Sequence, residues 1–577
     1  MMKASLRRIG CTCVFAALLL AAGCKKHRKT TSVENTTDYA GNLQALVATK
    51  KLPSLKWPNF SDYQGYITQF YDDRNYELAW TRDGKPTAPA TAFIQAFQNA
   101  GSKGLIPEDY DASLWPGRIA KLAGKPADAI SEFDVAMTVN VMRYISDLRI
   151  GRVNPSHFNF DINVQTKKYD LAEFVSDHAV DESDVPKLIA TVEPDSDQYR
   201  ATEAALDRYL TLAKQQAEAQ AEPLPVVAKT ISVGGRYEAA EALTARLKLE
   251  GDLAADAAPT TFDQDVSDAI KAYQHRHGLT EDGKLTPQTI KSLNVPLTDR
   301  VIQLQNSLER WRWLPEQYIN APLIVNLPEF VLHGYDDQHK PEFTMKVVVG
   351  KVVGEHETPV FAHMMKYLVF RPYWNVPTDI AKKELVPHMN ARPGYLESKN
   401  YEVVNTKGEV QHGYTVKQVA QGGYMVRERP GPKNSLGLVK FMFPNQYDIY
   451  LHSTPATELF NRTRRDFSHG CVRVQKPEDL AVWVLQNQKD KDGNEWDLDK
   501  VHEAMTAGPD NKTVALKTPI PIVIFYLTGI VEEDGHAHFF DDIYGYDAEM
   551  QQVLAKGPPY PIKPEPVVPK TKAGDTV

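Results

Sequence analysis

Apolar residues fall into three regimes along the chain. From about Leu43 to Gln220 they recur at helical spacing. Between Ser131 and Ile150, the residues Phe133, Ala136, Met137, Val141, Tyr144 and Ile145 return every three or four positions. Between Thr202 and Ala221 an Ala-rich stretch carries Leu206, Leu210 and Leu212. Both patterns predict helices. From Val226 to Val295 the helical pattern is punctuated: Val266, Ala269, Ile270 and Tyr273 share one face, and Gly278 closes that helix. Asp282-Gly283 turns the chain, and Thr286-Pro287 caps and opens a further helix with Ile290 and Leu293 on one side. From about Pro322 the period changes to short β-branched or aromatic runs bounded by Gly, Pro, Asn and Asp. Phe343 to Gly350, Tyr367 to Phe370, Val439 to Phe443 and Asp448 to Leu451 predict strands, and Val531 to Phe539 predicts a hairpin around Asp534-Gly535. Pro477 opens a helix with Leu480, Trp483 and Val484 as its expected buried face.

The ends read differently. Lys3, Arg7 and Arg8 precede a short apolar run from Val14 to Ala22 and the small residues Ala21-Ala22-Gly23, a secretory signal too short to span a membrane. Small residues running directly into Cys24 resemble a bacterial lipobox, in which that cysteine is lipidated; Ala21 stands where Leu is usual, and Leu20 lies one further back. Lys25 follows Cys24, so the Asp that retains such proteins in the inner membrane is absent. These features predict an exported, periplasmic, membrane-anchored lipoprotein of a Gram-negative-type envelope. Residues 25–42 read as a polar tether and 556–577 as a mobile Pro-rich tail. The chain has 577 residues, room for three or four domains, with 42% hydrophobic and 24% charged residues, a folded composition. A net charge of −8 leaves no basic excess for a polyanion, so nucleic acid is excluded as a partner.

Three of the four cysteines lie in the first 24 residues, so the mature chain keeps one thiol, Cys471, in Phe467-Ser468-His469-Gly470-Cys471-Val472-Arg473-Val474. A lone thiol in an exported chain is exposed to oxidation unless it is used or buried. Gly470 permits a tight turn beside the sulfur, and His452 lies nineteen residues upstream, a span that fits two adjacent strands joined by a loop. An imidazole can take the thiol proton, producing a nucleophile for an acyl carbon. No Asp or Glu sits where it would orient His452; a backbone carbonyl can do that more weakly. The N–H groups of Gly470 and Cys471 and the Tyr450 hydroxyl are candidate oxyanion donors. Arg462, Arg464 and Arg465 read as a solvated basic loop or as contacts for substrate carboxylates. His536 and His538 lack a third ligand in view and read as surface residues, so no metal and no cofactor is expected.

Two resemblances follow. The run from Ala269 through Asp282-Gly283 to Leu293 resembles the small three-helix peptidoglycan-binding domain. Tyr450-Leu451-His452-Ser453-Thr454-Pro455, Leu459-Phe460 and Ser468-His469-Gly470-Cys471-Val472-Arg473 resemble the signature of bacterial L,D-transpeptidases, supported by Thr358-Pro359, Tyr373-Trp374-Asn375 and Gly437-Leu438-Val439-Lys440-Phe441. The resemblance is to the large multidomain periplasmic branch and implies a multidomain α+β protein. Its expected parts are a helical scaffold (43–225), a peptidoglycan-binding-like domain (226–296), a helical connector (297–321) and a mostly antiparallel β-sandwich catalytic domain (322–555). A stretch at about 377–430 is expected to cap the active site.

The resemblance implies Cys471 as nucleophile, His452 as base, the Ser453 carbonyl as its orienting group, and Tyr450 and Gly470 as oxyanion support; His469, Arg473, Trp374 and Ser468 would meet substrate. The implied partners are peptidoglycan tetrapeptide stems as donor and acceptor, the membrane through Cys24, and cell-wall synthases. The implied product is a crosslink between third-position diamino acids with release of D-Ala. The same acyl-enzyme also suits a hydrolase that trims stems or releases wall proteins, and a chain without turnover would be a wall-binding lipoprotein.

Overall fold

The computed structural model describes residues 39–220, 222–258, 261–352 and 356–560. The secretory signal, Cys24, most of the tether and the tail beyond Tyr560 lie outside the described residues. The folded chain starts earlier than its polarity predicts: helix Tyr39–Ala48 takes in the end of the expected tether, because Leu43 and Val47 are fully buried against the scaffold. The start of the expected tail is docked too. Pro558, Pro559 and Tyr560 line a cleft with Tyr110, Arg143 and Arg152 of the scaffold. No helix among the described residues is long and apolar enough to cross a membrane.

The scaffold is built around helix Ala127–Ile150, buried along most of its length. A helix buried on all sides must satisfy its own polar side chains. Asp134 does so by accepting from Tyr71 Oη (2.9 Å), Ala79 N (3.1 Å) and Trp80 N (2.8 Å), which also anchors the small hairpin β1 (Thr81–Arg82) and β2 (Lys85–Pro86). The predicted helix near residue 202 spans Asp197–Glu218. Three helices, Ala240–Glu250, Gln264–Arg276 and Pro287–Leu293, surround a separate core of Leu243, Leu247, Ile270, Tyr273, Ile290 and Leu293. Asp263 and Thr286 cap the last two, each accepting a backbone N–H at 3.1 Å.

Helix Leu297–Trp313 joins these parts to the β-rich region and is buried over most of its length, continuously from Asn306 to Trp313. Its Glu309 accepts from Val153 N (3.0 Å) and Arg152 Nε (3.2 Å), and its Arg312 donates to Tyr199 Oη (2.9 Å). Charges this deep are stable only when paired, so these contacts fix how scaffold and connector meet.

The β-rich region contains β3 (Leu323–Asn326), β4 (Val331–Tyr335), β5 (Pro341–Gly350), β6 (Phe361–Phe370), β7 (Trp374–Asn375), β8 (Tyr401–Val404), β9 (Met425–Glu428), β10 (Val439–Met442), β11 (Leu451–His452), β12 (Asp466–Ser468), β13 (Val472–Val474), β14 (Lys512–Phe525), β15 (Gly529–Val531) and β16 (Ala537–Phe539). Its main sheet is one continuous nine-stranded surface, β12-β5-β13-β11-β10-β6-β14-β3-β4, and β4 also pairs with β5. The sheet therefore closes on itself, where the short β-branched and aromatic runs and the resemblance pointed to a mostly antiparallel sandwich. Strand period fixes which residues face inward but not whether two faces belong to one sheet. Most pairings are antiparallel; β11–β13, β12–β5 and β14–β3 are parallel. Val325, Val347, Phe361, Leu368, Phe441, Leu451, Val472 and Ile524 fill the core.

Strands β7, β9 and β8 form a second sheet in the segment expected to cap the site. With helices such as Val386–Ala391 and Val416–Ala420 they enclose their own small core of Val376, Leu385, Leu396, Val403 and Val426. The unit begins at Trp374, earlier than expected, because Trp374 pairs in register with Glu428.

Candidate active site

The parallel pairing of β11 with β13 sets Leu451 opposite Val472 and His452 opposite Arg473. Leu451, Val472 and Val474 point into the core. By strand alternation Tyr450, His452, Cys471 and Arg473 share the other face. Lys440 of β10 stands opposite His452 and joins them. The sheet thus collects a thiol, an imidazole, a phenol and two cations that are up to 33 residues apart in the chain.

Cys471 is half-buried between β12 and β13, and its Sγ lies 3.6 Å from the Asp448 carbonyl oxygen. Burial pushes the thiol up to about 11, against the opposing pull of hydrogen bonds from Tyr450. Gly470 holds φ 117°, a conformation suited to glycine, and an added Cβ there would approach Ile449 at 3.1 Å. The Gly470 N–H donates to Ser468 Oγ (3.1 Å) and its carbonyl accepts from Thr358 Oγ1 (2.7 Å), which in turn accepts from Gly350 N (2.8 Å). Tyr544 Oη completes this support by donating to the Gly350 carbonyl (2.7 Å). These contacts change two expectations. The Gly470 N–H is already engaged by Ser468, which leaves the Cys471 N–H and the Tyr450 hydroxyl, the latter shared at rest with the Cys471 sulfur. Ser468 is buried and props the turn, with no side-chain face left for substrate.

His452 is 4% exposed. Burial, with Arg473 nearby, lowers its pKa to about 3, although the Ser453 and Leu436 carbonyls pull the other way. Nδ1 lies 2.6 Å from the Ser453 carbonyl oxygen. A carbonyl only accepts, so Nδ1 carries the proton and Nε2 keeps the lone pair. Ser453 is itself pinned: its N–H donates to Val439 O (2.9 Å), and its Oγ accepts from Leu438 N (2.6 Å) and faces Leu436 O (3.4 Å). This packing leaves no room at Gly437, where a Cβ would fall 1.9 Å from Ser453 Oγ and 2.7 Å from its carbonyl carbon. At neutral pH the resting pair is therefore a neutral thiol with a neutral imidazole, not a preformed ion pair.

Two cations face this pair. Arg473 is largely buried, with an Nε that has no hydrogen-bond partner among the described residues, and burial lowers its pKa against the pull of Cys471. Lys440 Nζ sits 5.4 Å from the Tyr450 ring centroid, and burial lowers its pKa too. Lys440 was legible as the lone charge in the apolar run Leu438–Phe443, on the same strand parity as the site. Thr358 and Gly437 were visible only as members of motifs, without a role, and Tyr544 had no local signal, since each acts on a partner far along the chain.

Of the remaining expected contacts, His469 faces the cap, with Nε2 2.7 Å from Glu384 Oε1 and its ring 4.8 Å from that of His356. Trp374 packs against the core of the cap. Of the three arginines before the nucleophile, Arg462 and Arg464 are exposed, as a solvated loop implies, and Arg465 is not. Arg465 is buried and donates to Val347 O (3.1 Å) and Phe330 O (2.9 Å), Arg464 pairs with Asp466 (2.7 Å), and Arg462 covers Phe467. Trp483 is half-exposed and donates to Glu342 (2.6 Å), so only Leu480 and Val484 of its predicted face are fully buried. His538 is buried, with Asp534 at 3.1 Å and Phe539 beside it under the three-helix unit, contrary to a surface role.

Residues 321–522 match the L,D-transpeptidase catalytic domain, residues 65–206 the Scaffold domain, and residues 236–293 the "Putative peptidoglycan binding domain". A protein of Haemophilus influenzae named "Putative L,D-transpeptidase" is 29% identical over 280 residues, covering 47% of this chain and 54% of that protein. The chain thus spans about half the length of the curated relative it matches. The chain is a multidomain α+β protein whose regions are similar in turn to a scaffold, to a small domain described as peptidoglycan-binding and to the L,D-transpeptidase catalytic domain.

Proposed function

We propose that this protein crosslinks peptidoglycan by joining third-position diamino acids of two stem peptides, using Cys471 as nucleophile and His452 as base. The observation that carries the reading is the pairing of β11 with β13, which brings both residues to one face, with Nδ1 of His452 tied to the Ser453 carbonyl. Because the resting pair is neutral, the proton moves from Sγ to Nε2 of His452 as sulfur attacks the third-residue carbonyl. The Cys471 N–H and the Tyr450 hydroxyl face the developing oxyanion. Collapse breaks the peptide bond, His452 returns its proton to the leaving D-Ala amine, and a thioester remains. The side-chain amine of a second stem then attacks, His452 takes the amine's proton and passes it to the departing sulfur, and the thiol is restored. Arg473 and Lys440 supply positive charge for stem carboxylates, and His469 with the cap forms the opposite wall. The three-helix unit would hold the polymer, and a lipid on Cys24 would hold the protein at the envelope membrane beside cell-wall synthases.

The test is mass spectrometry of soluble protein incubated with disaccharide-tetrapeptide. A dimer joined through third-position residues, absent in Cys471→Ala and His452→Ala, is the expected result. Tripeptide and free D-Ala without dimer would make the protein a hydrolase. Absence of both turnover and an acyl adduct at Cys471 would overturn the enzymatic reading in favour of wall binding.

A further inference from the structure

A second cluster of ionisable side chains lies away from the thiol, where the β15–β16 hairpin folds over the turn between β3 and β4. Glu329 in that turn, His333 on β4 and Glu532 in the hairpin each offer one ligand atom, and these atoms all lie within 4.8 Å of one another. His333 Nε2 is 2.9 Å from Glu329 Oε2, and Asn326 Nδ2 donates to the same carboxylate at 3.1 Å. Glu329 and His333 have side-chain exposures of 6% and 13%, so both are held in place before any ligand arrives. The three open on a cleft lined by Trp311, Tyr335 and Glu533.

We propose that Glu329, His333 and Glu532 bind one divalent transition-metal ion of the zinc class. The donor set is one imidazole and two carboxylates, which suits a borderline ion better than calcium or magnesium, both of which take oxygen ligands. Such an ion sits about 2.0–2.2 Å from each nitrogen or oxygen, so tetrahedrally placed ligand atoms are roughly 3.3–3.6 Å apart. The present separations, from 2.9 Å between His333 and Glu329 to at most 4.8 Å within the trio, bracket that range. Three protein ligands leave at least one position for water. Asn326 plays the part of the outer partner that orients a ligating carboxylate.

The position gives the site a consequence. The hairpin that carries Glu532 also seats the three-helix unit: Arg276 donates to the Ala537 carbonyl at 2.9 Å, and the ring of His277 stacks on Phe539. An ion held between hairpin and barrel would stiffen that seat.

The experiment uses chelator-treated full chain carrying Cys471→Ser, so that the thiol cannot capture metal, titrated with Co2+ and then Zn2+. One equivalent of Co2+ giving visible absorption bands, displaced by one equivalent of Zn2+ with a rise in Tm, is expected. Glu532→Gln and His333→Gln should each weaken uptake at least tenfold, whereas His536→Ala on the same hairpin should leave it unchanged. If His333→Gln fails to fold, the near-isosteric Glu532→Gln decides alone. Absence of saturable uptake, or uptake that survives Glu532→Gln, would overturn the proposal.

Discussion

The candidate active site has two walls of different construction. One is the closed sheet, where Cys471, His452, Tyr450, Arg473 and Lys440 project from strands whose other face is the main core. Its carbonyls and hydroxyls are tied to one another through Ser453, Thr358, Ser468 and Tyr544. The other wall is the cap, a separate three-stranded unit with a small core, which reaches the site through the half-exposed contact of His469 with Glu384. Chemistry that needs a nucleophile and a base within fractions of an ångström is placed on the rigid wall. On the proposed function, recognition, which must admit and release a polymer, falls to the wall with its own fold.

The comparison breaks first at the base. His452→Gln should lower turnover by about 10²–10⁴-fold, the usual contribution of a positioned general base, with little change in KM. Retention of most activity would move the base elsewhere. Thiol alkylation by iodoacetamide should keep accelerating up to about pH 11, following the raised Cys471 pKa. A plateau near neutral pH would instead reveal a preformed thiolate.

The rigid wall can be strained without touching a reacting group. Gly437→Ala forces a Cβ into Ser453 and should cost on the order of 2 kcal/mol or more in stability, together with turnover, because the Ser453 carbonyl fixes the His452 tautomer. Unchanged turnover in a folded variant would separate that carbonyl from catalysis.

The same burial has a pH signature. His452 binds its proton near pH 3 in the fold but near 6.5 when unfolded. Below pH 6.5 the unfolded chain holds more protons, so this stability is complete above 6.5 and is lost as pH falls toward 3, by up to about 1.4 kcal/mol per pH unit. Denaturant titrations of His452→Gln should show a correspondingly shallower acid slope than wild type.

The smallest effect belongs to the cap. Glu384→Gln should change stability by less than about 1 kcal/mol, since the pair is partly exposed. It should raise KM for a tetrapeptide donor while leaving the alkylation rate of Cys471 unchanged. A fall in turnover at fixed KM would place Glu384 with the reacting groups.

The chain's local pattern was enough for the elements that depend on neighbours in sequence. The helix through Ile150, the capped Thr286-Pro287 helix, the hairpin at Asp534-Gly535 and the strands on either side of the site all follow from spacing, capping and turn chemistry. Cys471 and His452 stood out because the one cysteine beyond residue 24 sits beside a glycine, with an imidazole nineteen residues upstream.

What the tertiary structure alone decided is where distant polar groups meet. Closure of the sheet by β4 and β5, the support of Gly470 by Thr358, the burial of Arg465 and His538, and the contacts of Glu384 and Tyr544 join residues that share no local pattern. Spacing tells which face a side chain takes, because backbone geometry repeats over two or 3.6 residues. It does not tell which partner waits on that face, because that is set by packing the whole sheet against helices far away in sequence, and the protonation of each buried group follows from that packing.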